Sequence, residues 1–138
     1  MKISTKGRYG TRALLDIALN YKKEPVPLKD IAQRQQISLP YLEKLIAPLI
    51  SGGVIRSVRG VGGGVSLGKP AGEIKLSEVI DLLEGPMTPV NCLNDPLSCD
   101  RSAFCVTRDI WDKMKNAMDS VLGSITLQDL MKWHKGQS

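Results

Sequence analysis

The chain has 138 residues, 42% of them hydrophobic but only 4% aromatic, and a formal net charge of +5. That length suits one compact domain, or one small domain with an appended element, around a core of Leu, Ile, Val and Ala. The opening MKISTKGRYGTR lacks the apolar stretch of a secretory leader, and no apolar run approaches the roughly 20 residues of a membrane span; a cytoplasmic protein with reduced thiols and no membrane association is expected.

The charge is unevenly placed. Residues 1–69 carry twelve basic and four acidic side chains, a net of +8, whereas residues 70–138 carry seven and ten, a net of −3. A basic half is what a polyanionic partner requires, and a solvated basic surface has the same composition.

Taken in order, residues 5–20 read as a first helix capped by Thr5, with Ala13, Leu14, Ile17, Ala18 and Tyr21 as its apolar stripe. Lys6, Arg8 and Arg12 fall on its first turns, where a helix N-terminus with added cations can clamp a phosphate; ordinary solvated charge is the other reading. After a loop with two prolines, residues 27–34 form a short helix with Leu28, Ile31 and Ala32 inward. Residues 35–38 form a turn plugged by Ile37.

The next stretch, SLPYLEKLIAPLISGGVIRSVRGVGGGVSL at 38–67, is the one the chain is organised around. Ser38 stands where an N-cap is wanted and Pro40 falls in the first helical turn, where a missing N–H costs nothing. Leu42, Leu45, Ile46 and Leu49 recur at helical spacing, and Gly52 and Gly53 are expected to end the helix in the left-handed conformation. Val54, Ile55 and Val58 are β-formers, answered by Val65 and Leu67 across a glycine-rich tip at 60–64. Helix, short turn, helix, hairpin is a winged helix-turn-helix: the second helix can enter a major groove, while Arg56 and Arg59 on the wing reach phosphates or a minor groove. On the recognition helix Tyr41 can stack or bond a phosphate, and Lys44 can bind guanine edges or a phosphate. Glu43 is either a selectivity filter that accepts from a cytosine amino group or a helical surface charge without a DNA role.

Residues 68–73 read as a linker and 76–84 as a short helix with Val79, Leu82 and Leu83 inward, stopped by Gly85-Pro86. Residues 87–102 have no clean period and form a loop of about 16 residues, longer than a compact domain normally carries without a purpose. A long helix follows at about 106–122, with Ile110, Met114, Ala117, Val121 and Leu122 along one side and Trp111 and Met118 beside them. A stripe this wide is expected either to dimerise, pairing two recognition helices on a two-fold symmetric site, or to dock on its own domain. Residues 126–133 make a last helix capped by Thr126. The organisation expected is residues 1–84 as the DNA-binding domain, 85–105 as a cysteine-containing loop and 106–138 as a dimerisation helix with a terminal helix.

Cys92, Cys99 and Cys105 are the only cysteines, spaced C-x6-C-x5-C. Soft thiolates clustered on a loop in a reduced compartment suit zinc or an iron–sulfur cluster, and the C-x2–4-C knuckle usual for structural zinc is absent. Unligated redox thiols, or thiols packed as small hydrophobes, are the alternatives. The single histidine, His134, lies 29 positions beyond Cys105 and is not assigned as a ligand. No catalytic set is visible, and the 60–64 glycines lie between strands rather than before a helix, which excludes a phosphate-cradling loop. A regulator rather than an enzyme is expected.

The opening MKISTKGRYGTRALLDIAL, the segment ISLPYLEKL, the wing SVRGVGGGVSLGK, the cysteine triplet and the late ITLQDL together resemble the IscR-type iron–sulfur transcriptional regulators over nearly the whole chain. The resemblance implies a homodimeric, mainly α winged helix-turn-helix protein with a long dimerisation helix. It implies an iron–sulfur cluster on Cys92, Cys99 and Cys105, with 2Fe–2S expected ahead of 4Fe–4S, and repression of cluster-assembly genes. It also implies DNA contacts from Arg59 and from residues 38–44, with Glu43 discriminating between classes of site. The full expected contact set is Lys6, Arg8, Ser38, Pro40, Tyr41, Glu43, Lys44, Arg56, Arg59, Gly60, Gly62 and Gly63. One departure stands out: the relatives' fourth ligand, a histidine three residues after the third cysteine, is Arg108 here. Nitric-oxide-sensing relatives take an acidic residue near the partner's N-terminus instead, and Arg8 stands in that neighbourhood. A carboxylate or an external thiol is the expected substitute. A regulator of cysteine metabolism controlled by thiol oxidation or a partner protein, without a cluster, is the alternative function.

Overall fold

A computed structural model describes residues 2–137. Six helices and one hairpin run in the order α1 (Thr5–Asn20), α2 (Leu28–Gln35), α3 (Leu39–Ser51), β1 (Ile55–Val58), β2 (Gly64–Leu67), α4 (Leu76–Glu84), α5 (Thr107–Ser124) and α6 (Leu127–Gly136). The mainly α winged helix-turn-helix fold expected from the sequence is therefore the one observed.

Helix α1 is the central element and packs against α2, α3, α4, α6 and β2. Its stripe of Ala13, Leu14, Ile17 and Ala18 is buried as predicted, but Tyr21 is exposed, because the helix ends at Asn20. The predicted cap at Thr5 is also displaced by one residue. Ser4 holds the extended cap position, and its side chain does not cap its own helix.

The turn between α2 and α3 passes through Gln36 in the left-handed conformation (φ 57°), an uncommon place for a residue other than glycine or asparagine. Ser38 then caps α3, its Oγ accepting from the Tyr41 amide at 3.2 Å. Leu42, Leu45, Ile46 and Leu49 are all buried. Of the two glycines that end α3, only Gly53 is left-handed (φ 79°), whereas Gly52 keeps a right-handed helical φ of −82°. Gly52 instead leaves room for the Leu82 side chain of α4, which a Cβ there would have to displace.

The hairpin pairs Ile55 with Leu67 through to Val58 with Gly64. Val54 lies just ahead of the strand and is fully buried. Val26, in the loop before α2, exchanges two backbone hydrogen bonds with Val65 (2.8 and 2.9 Å), which fastens the wing to the helix-turn-helix. A 3-10 turn at Ala71–Glu73 leads to α4, and two more, Asn91–Leu93 and Pro96–Ser98, give local order to the 87–102 segment.

The last two helices behave differently. No residue of α5 is buried, and Ile110, Met114 and Val121 are 52, 42 and 56% exposed. Helix α6 returns to the body. Leu127 is fully buried, its amide bonds Ile74 O and the Leu76 amide bonds Ile125 O, both at 2.9 Å. Thr126 and Asp129 form a reciprocal capping box at the start of α6. Among the described residues no helix is long and apolar enough to cross a membrane.

Because Leu127 fills the core from the last helix, Leu127→Ala is expected to cost about 2–5 kcal/mol of folding stability. Chemical denaturation should show this as a lowered midpoint at unchanged slope; a loss below about 0.5 kcal/mol would mean that α6 is dispensable to the core.

Candidate nucleic-acid interface and cysteine site

One network sets the position of the recognition helix, and its centre is a residue that the sequence pattern does not single out. Asp16 is 4% exposed in the middle of α1. Its carboxylate accepts from Arg34 Nη2 at 2.7 Å, Arg34 Nε at 3.0 Å and Gln35 Nε2 at 2.8 Å. The hydrogen bonds to Asp16 raise the Arg34 guanidinium above its ordinary value, so it stays charged. Gln35 in turn accepts from Arg12 Nε at 3.1 Å. Arg12 stacks over the Tyr9 ring at 4.9 Å, and Tyr9 meets Tyr41 edge-on, with centroids 6.3 Å apart and planes at 82°. Hydrogen bonds, a cation–π contact and an aromatic pair thus run from α1 through the turn to the first turn of α3. The aromatic pair alone contributes roughly 0.5–1.5 kcal/mol.

Around that network, Lys6, Tyr41 and Lys44 border one cavity together with Leu45, Pro48, Leu82 and Leu83. This brings the start of α1 beside the start of α3. Ser38, Pro40, Glu43 and Lys44 are exposed, as are Lys6 and Arg8. Glu43 has no cation three or four residues away, its neighbours there being Leu39, Pro40, Ile46 and Ala47. Arg56 and Arg59 are exposed on the separate wing, where Gly60 and Gly62 hold positive φ angles of 94° and 77°, and Gly63 N bonds Gly60 O at 2.9 Å to close the tip. The phosphate clamp expected at the α1 N-terminus has fewer free amides than the sequence suggests. The amides of Ser4 and Gly7 already donate to Glu84 Oε1, at 2.9 and 3.0 Å. Among the described residues the Lys6 amide has no acceptor, so it and the side chains of Lys6 and Arg8 remain there for an outside anion.

The three cysteines are free thiols. Cys92 is half-buried in the first 3-10 turn, Cys99 is exposed directly after the second, and Cys105 is half-buried ahead of α5. Among the described residues, no group of three or more His, Cys, Asp or Glu side chains is assembled closely enough to hold a metal ion. The donor chemistry nonetheless fits a sulfur-ligated centre, with three cysteines on one short segment. Arg108 lies beside all three cysteines. Its Nη2 donates to the Cys92 carbonyl at 3.0 Å, and it borders two cavities, of about 430 and 300 Å³, that contain Cys99 and Cys105 respectively. Its Nε is buried without an acceptor. His134 lines a different groove, beside Arg12, Asp16 and Arg34.

The arrangement of a helix-turn-helix with a two-stranded wing, braced from α1, is that of a winged-helix regulator. A family model described as Rrf2, an iron-dependent transcriptional regulator, matches residues 3–133, and the chain belongs to that family. The protein rrf2 of Nitratidesulfovibrio vulgaris Hildenborough is 47% identical over 132 residues, covering 96% of this chain and 88% of that protein. The HTH-type transcriptional regulator IscR of Xenorhabdus nematophila is 42% identical over 132 residues, covering 96% of this chain and 80% of its own. Among solved structures, T. potens IscR superposes with a TM-score of 0.81 at 40% identity, over 100% of this chain and 92% of that one. CymR, the global cysteine regulator of B. subtilis, superposes with a TM-score of 0.80 at 38% identity, over 96% of this chain and 98% of that one. The chain is a transcriptional regulator and not an enzyme.

The thiols are not equivalent. The Thr107 hydroxyl lies 3.1 Å from Cys105 Sγ, and its hydrogen bond, followed by the Arg108 amide, holds the Cys105 thiol below its ordinary value. Both donors favour the thiolate, so the reactive fraction at neutral pH is larger than for an ordinary cysteine. Cys105 is expected to be alkylated by iodoacetamide with a midpoint below that of a free thiol, and Thr107→Val should move that midpoint upward. Peptide mapping across a pH series checks this; coincident midpoints in the two proteins would refute it.

Proposed function

We propose that this regulator binds duplex DNA as a homodimer, through α3 and the wing, and that Cys92, Cys99 and Cys105 hold an iron–sulfur cluster whose presence tunes that binding. The observation that carries the reading is the pairing, in one chain, of a basic winged helix-turn-helix with a three-thiol segment directly ahead of an uncovered helix. In this reading Tyr41, Lys44, Lys6 and Arg8 meet phosphates or base edges from the helix side, and Ser38 and Pro40 set the entry of α3. Arg56 and Arg59 reach out from the wing, and Gly60, Gly62 and Gly63 let its backbone approach closely. Glu43, which has no helical cation to pair with, reads a base by accepting from a cytosine amino group. The exposed face of Ile110, Met114 and Val121 packs against the same face of a second copy, which presents two recognition helices to a two-fold symmetric site. The membership in a family described as iron-dependent, and the likeness to the IscR proteins, support cluster-assembly genes as targets and repression as the mode.

When bound, a cluster would supply a redox-sensitive crosslink among the three cysteine segments, and 2Fe–2S is favoured over 4Fe–4S. This chain's own residues contribute three thiolates, and Arg108 at the expected fourth position contributes a cation that cannot ligate iron. Arg108 instead ties Cys92 to the first turn of α5. A second reading rests on the dispersed thiols, the shifted Cys105 and the likeness to the cysteine regulator CymR: thiol oxidation or a partner protein then controls DNA binding, in cysteine metabolism, without a cluster.

Two measurements test these readings. Arg59→Ala is expected to weaken operator binding and to reduce the slope of log K against log salt by about 0.9 per protomer, the loss of one phosphate contact; an unchanged slope removes the wing from the interface. Anaerobically isolated protein is expected to contain iron and acid-labile sulfide with a visible charge-transfer band that disappears on replacing all three cysteines by alanine. Iron-free protein that still responds to thiol oxidants would establish the second reading instead.

A further inference from the structure

Helix α1 starts without a cap of its own. Ser4 occupies the cap position with its side chain turned elsewhere, and the first turn contains no acidic residue, only the cations Lys6 and Arg8. The missing acceptor comes from about eighty residues away. Glu84, the last residue of α4, accepts through one carboxylate oxygen, Oε1, from the Ser4 amide at 2.9 Å, the Gly7 amide at 3.0 Å and the Ser4 hydroxyl. The sequence leaves room for this contact: a Cβ at Gly7 would overlap the Glu84 carboxylate, and one at Gly10 would overlap the side chain of Leu83, the residue before Glu84. Helix α4 also packs against α3 and α5, and the cysteine segment begins three residues after it, at Met87.

We propose that Glu84 is the positioning residue through which the cysteine segment sets the first turn of α1, and with it the Lys6 and Arg8 end of the DNA-binding face. This rests on the reading that the cysteine segment governs DNA binding. A negative carboxylate at the positive end of α1 is a favourable placement, and it orders the turn that presents the two cations. Glu84 stands at the junction where α4 gives way to the segment ending at Cys105. A rearrangement of that segment that shifts the end of α4 by a fraction of a hydrogen-bond length breaks the contact with Gly7, whose amide has no other acceptor among the described residues. Loss of that acceptor frays the turn, and Lys6 and Arg8 lose their fixed geometry.

The test separates capping from coupling. Glu84→Ala should speed hydrogen exchange at the Gly7 amide about fivefold, the equivalent of a lost cap, and weaken operator binding. Adding Ser4→Asp restores a local acceptor for Gly7 and should recover both. In the wild type, alkylating the cysteines, or loading iron and sulfide anaerobically, should change Gly7 exchange and operator affinity at least about threefold, and in the Ser4→Asp/Glu84→Ala protein neither should respond. Glu84→Gln, which keeps an acceptor oxygen, should retain the response and serves if the double variant folds poorly. A response that persists in the double variant, or wild-type Gly7 exchange that neither treatment moves, would overturn the proposal. Absence of a visible band after loading defeats only the cluster reading, and the alkylation arm then still decides the role of Glu84.

Discussion

The fold depends on a carboxylate buried in the middle of its first helix. A lone ionised Asp16 in an apolar core would cost several kcal/mol, and the site is tolerable only because Arg34 and Gln35 meet it from the turn of the helix-turn-helix. The same need for partners makes it a device for register. Apolar side chains can slide over one another at little cost, but a bidentate guanidinium–carboxylate contact has a single geometry. Asp16 therefore specifies where α2 ends relative to α1, and the Arg12, Tyr9 and Tyr41 contacts extend that specification to the first turn of α3. A buried ion pair is weak evidence for stability, and here its value lies in fixing orientation. Arg34 keeps 39% of its side chain exposed, which limits the desolvation cost on the cationic side.

The cations of the basic half divide accordingly. Arg12 and Arg34 are spent on the internal network. Lys69 is held by Glu78 at 2.7 Å. Lys6, Arg8, Lys44, Arg56 and Arg59 make no ion pair among the described residues, and they lie on α1, α3 and the wing. Lys2, Lys22, Lys23 and Lys29 are in no ion pair among the described residues either, so the pairing pattern removes Arg34 and Lys69 from the charge open to a polyanion and leaves the rest.

Local patterns carried most of the architecture. The 3.6-residue stripes in α1 and α3, the Ser38 cap, the glycine-rich tip and the Thr126 cap are all short-range signals, and each is matched by the observed element. What local pattern does not mark joins residues far apart in sequence. Nothing near Asp16 marks it as buried, because its partners come 18 and 19 residues later. Glu84 reads as the polar end of an amphipathic helix until Ser4 and Gly7 are placed against it. Gly7 and Gly10 look like helix-weakening residues and Gly52 like a helix terminator, and all three also face a neighbouring helix in close approach. The wide stripe of α5 was legible as a surface, but what covers it is not written in its own period. The three cysteines were legible as chemistry; their mutual placement was not, since that segment contributes no residue to the buried core.

That asymmetry constrains how a signal can travel. A segment without buried residues cannot push on the recognition helix directly, because it stores little packing energy to exchange. In the proposed reading it would act only by biasing a rigid element that touches the proposed DNA-binding face, and α4 is placed to be that element, between α5 on one side and α1 and α3 on the other. Whatever engages the thiols can shift DNA binding by no more than its differential affinity for two positions of α4, a coupling typically of about 1–3 kcal/mol. A change of that size is comparable to one helix cap or one charged hydrogen bond. The carboxylate contact at the start of α1 is therefore of the right magnitude to carry such a signal by itself, whereas the Asp16 network, with three strong bonds to one buried group, is too firmly held to be switched at that cost.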